Sequence, residues 1–142
     1  MQILIADDEP THLFLLEMFL KKWGYEVRSA DNGLEAWEIL REENSPALAI
    51  LDWELPGLSG VEICRRVKAG HRQPEPYIMM LTARAQKMDR HRGQEAGADD
   101  YMTKPFDPEE LRGQLETACQ VLESRGAPAF ACSDLRPPAR CR

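Results

Sequence analysis

Five short apolar runs of strand length recur along this chain, and stretches with helical spacing separate them. The runs are Ile3–Ala6, Val27–Ala30, Leu48–Leu51, Tyr77–Leu81 and Asp100–Thr103. Between them, Pro10–Trp23 is broadly apolar on one side, with Glu17 and Lys21 on the other. Leu34, Trp37 and Leu40 recur at three-residue steps, as do Val61, Cys64 and Val67, and Leu111, Leu115, Ala118 and Leu122 form a last stripe. Such periodicity predicts helices that each bury one face. Strand and helix alternating five times imply an α/β fold in three layers, with a parallel sheet covered on both faces.

Local signals agree. Ser59-Gly60-Val61-Glu62 reads as a capping box, and Asp107-Pro108-Glu109-Glu110 as an N-cap, a first-turn proline and an acid. Asp31-Asn32-Gly33 is a turn signal before the second helix. The segment 85–96, where a fourth helix is expected, is mostly charged and offers little apolar area to hold it.

A length of 142 residues suits one domain over 1–123. Residues 124–142 hold four Arg, one Asp and three Pro without apolar periodicity, and read as a disordered linker or truncated tail. With 18 basic and 24 acidic side chains the net charge is −6, which disfavours direct nucleic-acid binding. No apolar run is long enough to span a membrane and no signal peptide is evident, so a cytoplasmic protein is expected. The four cysteines show neither metal spacing nor a disulfide framework, and Cys64 and Cys119 read as core thiols.

In sheets of this kind ligands bind beyond the carboxyl ends of the strands. The residues found there are Asp7, Asp8 and Glu9 after the first strand, Asp52 after the third, Thr82 after the fourth, and Lys104 and Pro105 after the fifth. Clustered carboxylates repel unless a cation joins them, and Mg²⁺ takes carboxylates, waters and phosphate oxygens. A lysine charge and a threonine hydroxyl suit an anionic oxygen. Together these groups describe phosphoryl transfer, with a carboxylate as nucleophile. Asp52, ending the most apolar central strand, is the best candidate.

Four pieces of the chain now resemble the receiver domains of two-component response regulators: Ile3–Pro10, Leu51-Asp52-Trp53-Glu54-Leu55-Pro56-Gly57-Leu58-Ser59-Gly60, Met80-Leu81-Thr82-Ala83, and Gly97–Phe106. Their order and spacing make the likeness specific over residues 1–123. The resemblance implies a flavodoxin-like sheet of order 2-1-3-4-5 and a Mg²⁺ cofactor. It implies that Asp52 accepts a phosphoryl group from a sensor histidine kinase or phosphotransfer protein. Asp7 and Asp8 would bind the metal, with the backbone carbonyl of Glu54 assisting. Thr82 and Lys104 would contact the phosphoryl oxygens, and Thr82 and Tyr101 would act as the switch pair. The surface of the fourth helix, fifth strand and fifth helix (α4-β5-α5) would change in response, controlling a partner or an output domain and allowing a homodimer. The Lys104–Pro105 bond would be cis. Such a chain is a phosphoacceptor and not a turnover enzyme.

Other readings carry less. A haloacid-dehalogenase-like phosphatase would want an Asp where Glu54 stands, and a cap insertion. Trp53 reads as a partly exposed surface hydrophobe. His12, His71 and His91 read as structural or solvated groups away from the acid cluster. Glu54 and Arg84, of opposite charge and two residues after Asp52 and Thr82, are expected to pair across the site mouth.

Overall fold

The computed structural model describes residues 2–70, 75–82, 98–103 and 106–126, with Thr82 described by its backbone. The strands are β1 (Gln2–Ala6), β2 (Glu26–Ala30), β3 (Leu48–Asp52), β4 (Tyr77–Thr82) and β5 (Asp100–Thr103). The helices are α1 (Pro10–Lys22), α2 (Gly33–Leu40), α3 (Gly60–Ala69) and α5 (Pro108–Ser124). The number α4 is kept for the helix expected over 85–96, which lies outside the described residues. All strand pairs are parallel and the order is β2-β1-β3-β4-β5. The expected flavodoxin-like arrangement is therefore observed.

The sheet separates two apolar layers by strand alternation. Leu4, Ala6, Ala49, Leu51, Ile78 and Met80 face α2 and α3. Ile3, Ile5, Leu48, Ile50, Met79 and Leu81 face α1 and α5. Every residue of β3 is buried, as a central strand covered on both faces must be.

The caps form as their chemistry requires. Ser59 accepts the Glu62 N–H at 3.2 Å, and Asp107 accepts the Glu109 N–H at 3.0 Å. Asn32 accepts the Glu35 N–H at 2.8 Å. The stripes of α3 and α5 are buried as their spacing predicts, with Cys64 and Cys119 among them.

Three expectations need correction. The buried face of α2 is Gly33, Ala36, Ile39 and Leu40, while Leu34 is 58% exposed. Gly33 sits so close to the Leu58 carbonyl that a Cβ there would lie 1.7 Å from its oxygen. Trp53 is buried, not partly exposed. Its N–H donates to the Leu81 carbonyl at 2.9 Å, so bonding to β4 continues one residue past β3, and Trp53 joins the same layer as Leu51 and Leu55. On α1, Leu16 and Leu20 are buried, but Phe14 and Met18 face solvent.

Candidate functional site

The register of the sheet assembles the site. Ala6 lies opposite Leu51, so the next residues, Asp7 and Asp52, emerge side by side where β1 and β3 end. Strand order reverses between these two, which is where ligands bind in open α/β sheets. Asp7 is 1% exposed and Asp52 7%, whereas Asp8 is open to solvent. One carboxylate oxygen from each of Asp7, Asp8 and Asp52 lies within 4.8 Å of the other two.

Backbone groups orient the two buried acids. The Glu9 N–H donates to Asp7 Oδ1 at 2.9 Å, and the Glu54 N–H donates to Asp52 Oδ1 at 3.3 Å. Behind Asp52, Gly60 packs against the strand end. A Cβ at Gly60 would meet the Asp52 carbonyl oxygen at 2.5 Å, and the Gly60 N–H donates to the Trp53 carbonyl at 3.1 Å. Gly57, at φ +85°, adopts the left-handed turn that a side chain would oppose. Gly33 donates its N–H to the Pro56 carbonyl at 2.9 Å and so ties this loop to α2.

Three nearby carboxylates with oxygen donors only are suited to a hard divalent cation. Oxygens across an octahedral Mg²⁺ lie about 4 Å apart, so small side-chain rotations would let all three face one ion. The donor set fits Mg²⁺.

The backbone of Thr82 ends β4 and pairs with Thr103 of β5. Tyr101 is half-buried and packs with Ala98 against the layer facing α2 and α3. Glu54 is exposed beside Asp52. Lys104, Pro105 and Arg84 lie outside the described residues, as does the side chain of Thr82. The cis Lys104–Pro105 bond and the pairing of Glu54 with Arg84 therefore fall outside them as well. His71 and His91 do too.

His12 is a correction. Its Nδ1 lies 3.7 Å from Asp7 Oδ2, at the acid cluster and not away from it. Helix α1 begins only three residues after Asp7, so its first turn folds back over the cluster.

Comparison with known proteins decides what carries this arrangement. The family model described as the response regulator receiver domain matches residues 3–116. The chain belongs to the response regulator receiver family. This receiver is 41% identical over 114 residues to the phosphate regulon transcriptional regulatory protein PhoB of Pseudomonas aeruginosa, covering 80% of this chain and 49% of that protein. It is 43% identical over 115 residues to PhoB of Rhizobium meliloti, covering 81% and 50%. The chain thus spans about half the length of these curated relatives. Among solved structures it is similar to the receiver domain of a sensor histidine kinase from Pseudomonas aeruginosa with magnesium coordinated in the active-site cleft. That match has 30% identity and a TM-score of 0.73, covering 82% of this receiver and 95% of that chain.

Proposed function

We propose that this receiver takes a phosphoryl group from the phosphohistidine of a sensor kinase or phosphotransfer protein onto Asp52, in a Mg²⁺-dependent reaction. The observation that carries the reading is the convergence of Asp7, Asp8 and Asp52 at the carboxyl ends of β1 and β3. Phosphoryl transfer depends on positioning and on neutralising charge, and both are served by this cluster.

In the proposed step an Asp52 carboxylate oxygen bonds to phosphorus as the phosphorus–nitrogen bond of the donor breaks. The electron pair stays on the imidazole nitrogen. The Glu54 N–H donates to Asp52 Oδ1 and helps to orient the carboxylate, one oxygen of which is proposed to attack. Asp7, Asp8 and Asp52 would hold the Mg²⁺, with the Glu54 carbonyl assisting, and the ion would supply positive charge to the acids and to the phosphoryl oxygens. Thr82, ending β4, and Lys104, following β5 in the chain, are assigned a hydroxyl and an ammonium for those oxygens.

Phosphorylation adds about −1.5 to −2 charge, and Thr82 and Tyr101 are the residues assigned to answer it by moving the face of α4, β5 and α5. That face is proposed to act on a partner, an output domain or a second copy of the chain. The described residues contain no helix long and apolar enough to cross a membrane, and we assign the receiver to the cytoplasm. We further assign the receiver to residues 1–126, because α5 runs to Ser124 and Arg125 binds Asp99, and a connecting role to the chain that follows.

The test is intact mass after incubation with a small phosphodonor and Mg²⁺, for the natural chain and Asp52→Asn. One added phosphoryl group, absent from Asp52→Asn and absent without Mg²⁺, is expected. A folded natural chain that gains no mass would overturn the reading.

A further inference from the structure

The ring of His12 is about one-third exposed, but its Nδ1 is buried and has no hydrogen-bond partner among the described residues. Buried polar atoms are nearly always satisfied, so an unsatisfied one calls for a reason. The nearest acidic group is Asp7 Oδ2, at 3.7 Å. That is longer than a hydrogen bond and short enough for a modest rotation of either side chain to close.

We propose that His12 is a positioning residue for the metal site, donating an Nδ1–H to Asp7 Oδ2. The inference rests on the Mg²⁺ reading given under Proposed function. Asp7 Oδ1 already accepts the Glu9 N–H at 2.9 Å. With His12 on Oδ2, both oxygens of this buried carboxylate have a donor from the turn and helix that follow it. The plane of the carboxylate is then set, and each oxygen keeps lone-pair capacity for a cation shared with Asp8 and Asp52. His12 is itself well placed for this role. It lies in the first turn of α1, and Leu16 and Leu20, four and eight residues on, anchor the same helical face in the core. Donors that orient metal-binding carboxylates typically influence affinity by about 10–100-fold.

Magnesium titration by calorimetry tests this on the full chain, comparing the natural protein with His12→Leu and His12→Asn. Asparagine keeps an N–H donor at the branch position that Nδ1 occupies, whereas leucine keeps bulk alone. The expected result is a Kd raised about tenfold in His12→Leu and within about threefold of the natural value in His12→Asn. Urea midpoints of the magnesium-free proteins are read alongside and are expected to stay close to one another. Equal Mg²⁺ affinity in all three proteins would overturn the role of His12 and leave the metal reading standing. Equal weakening in both variants would overturn the donor role. Failure of the natural chain to bind Mg²⁺ would overturn the metal reading and this inference with it.

Discussion

Arg125, the capping residue at the end of α5, holds the Asp99 carboxylate at the entrance to β5. The same guanidinium donates to the carbonyls of Glu75 and Pro76, each at 3.2 Å, and lies 5.7 Å from the centre of the Tyr77 ring. Asp99 in turn accepts the Ile78 N–H at 2.9 Å. One side chain therefore ties the end of the last helix to the start of both β4 and β5.

Arg125→Ala is expected to lower unfolding free energy by about 2 kcal/mol, because it leaves a partly buried carboxylate and two carbonyls without this donor. Arg125→Lys should recover less than half of the loss, since an ammonium cannot reproduce the forked contacts. Urea denaturation of the three proteins gives the comparison.

Gly60→Ala is expected to damage stability and phosphoryl uptake together. Its Cβ would lie 2.5 Å from the Asp52 carbonyl oxygen and 2.9 Å from Met80 Cε, so the strand end bearing Asp52 must shift. A cost of about 1–3 kcal/mol is expected for such overpacking. Gly113→Ala is the matched control. Nothing lies within 4 Å of its added Cβ, and alanine in a helix interior is expected to stabilise by about 0.5–1 kcal/mol. Thermal unfolding and intact-mass phosphorylation of both variants separate the effects.

Cys64 is expected to resist alkylation in the folded protein. Burial, chiefly, and the nearby Asp99 charge push its thiol up to about 12. Relative to an ordinary cysteine at 9.0, that means about a thousandfold less thiolate at mildly alkaline pH. Peptide mapping after iodoacetamide treatment, with and without urea, should show Cys64 modified only in the unfolded chain.

Asp100→Asn is expected to stabilise the receiver at neutral pH. Burial, chiefly, raises the Asp100 carboxyl above its ordinary 3.8, reinforced by Glu110 and Asp99 and opposed by its bond from the Tyr101 N–H. The folded form thus binds a proton at a pH where the unfolded form has lost it. Stability falls as pH rises through that interval and stays lower above it. Asparagine keeps an oxygen for the Tyr101 N–H, which Asp100 Oδ1 accepts at 2.8 Å, and carries no charge. The gain is expected to be on the order of 0.5 kcal/mol, because water screens this partly exposed group. It should vanish as pH falls toward the ordinary carboxylate range, which urea midpoints across acidic pH would show.

Much of this was legible from residue order. The strands follow from continuous apolar runs, and the acids fall at their ends because a parallel sheet puts every carboxyl end on one edge. The stripes of α3 and α5 were readable because nothing competes with helical spacing there. In α2, Leu40 is buried and Trp37 packs against the core as the stripe predicts, and only Leu34 departs from it. The burial of Trp53 was not legible because it depends on the bond from its N–H to the Leu81 carbonyl, beyond the end of β3. His12 was missed because its closeness to Asp7 depends on how α1 departs from β1, an angle that sequence spacing does not encode.

Asp52 terminates the strand with a neighbour on each side and apolar cover above and below, whereas β2 and β5 are the rims of the sheet. Loss of either rim by local opening leaves the β1–β3–β4 centre paired. In amide-exchange terms, Asp52 belongs to the central strands, which are expected to open last, while Tyr101 sits on a rim. On the proposed reading, the edge assigned to signalling can loosen while the strand end proposed to take the phosphoryl group stays paired.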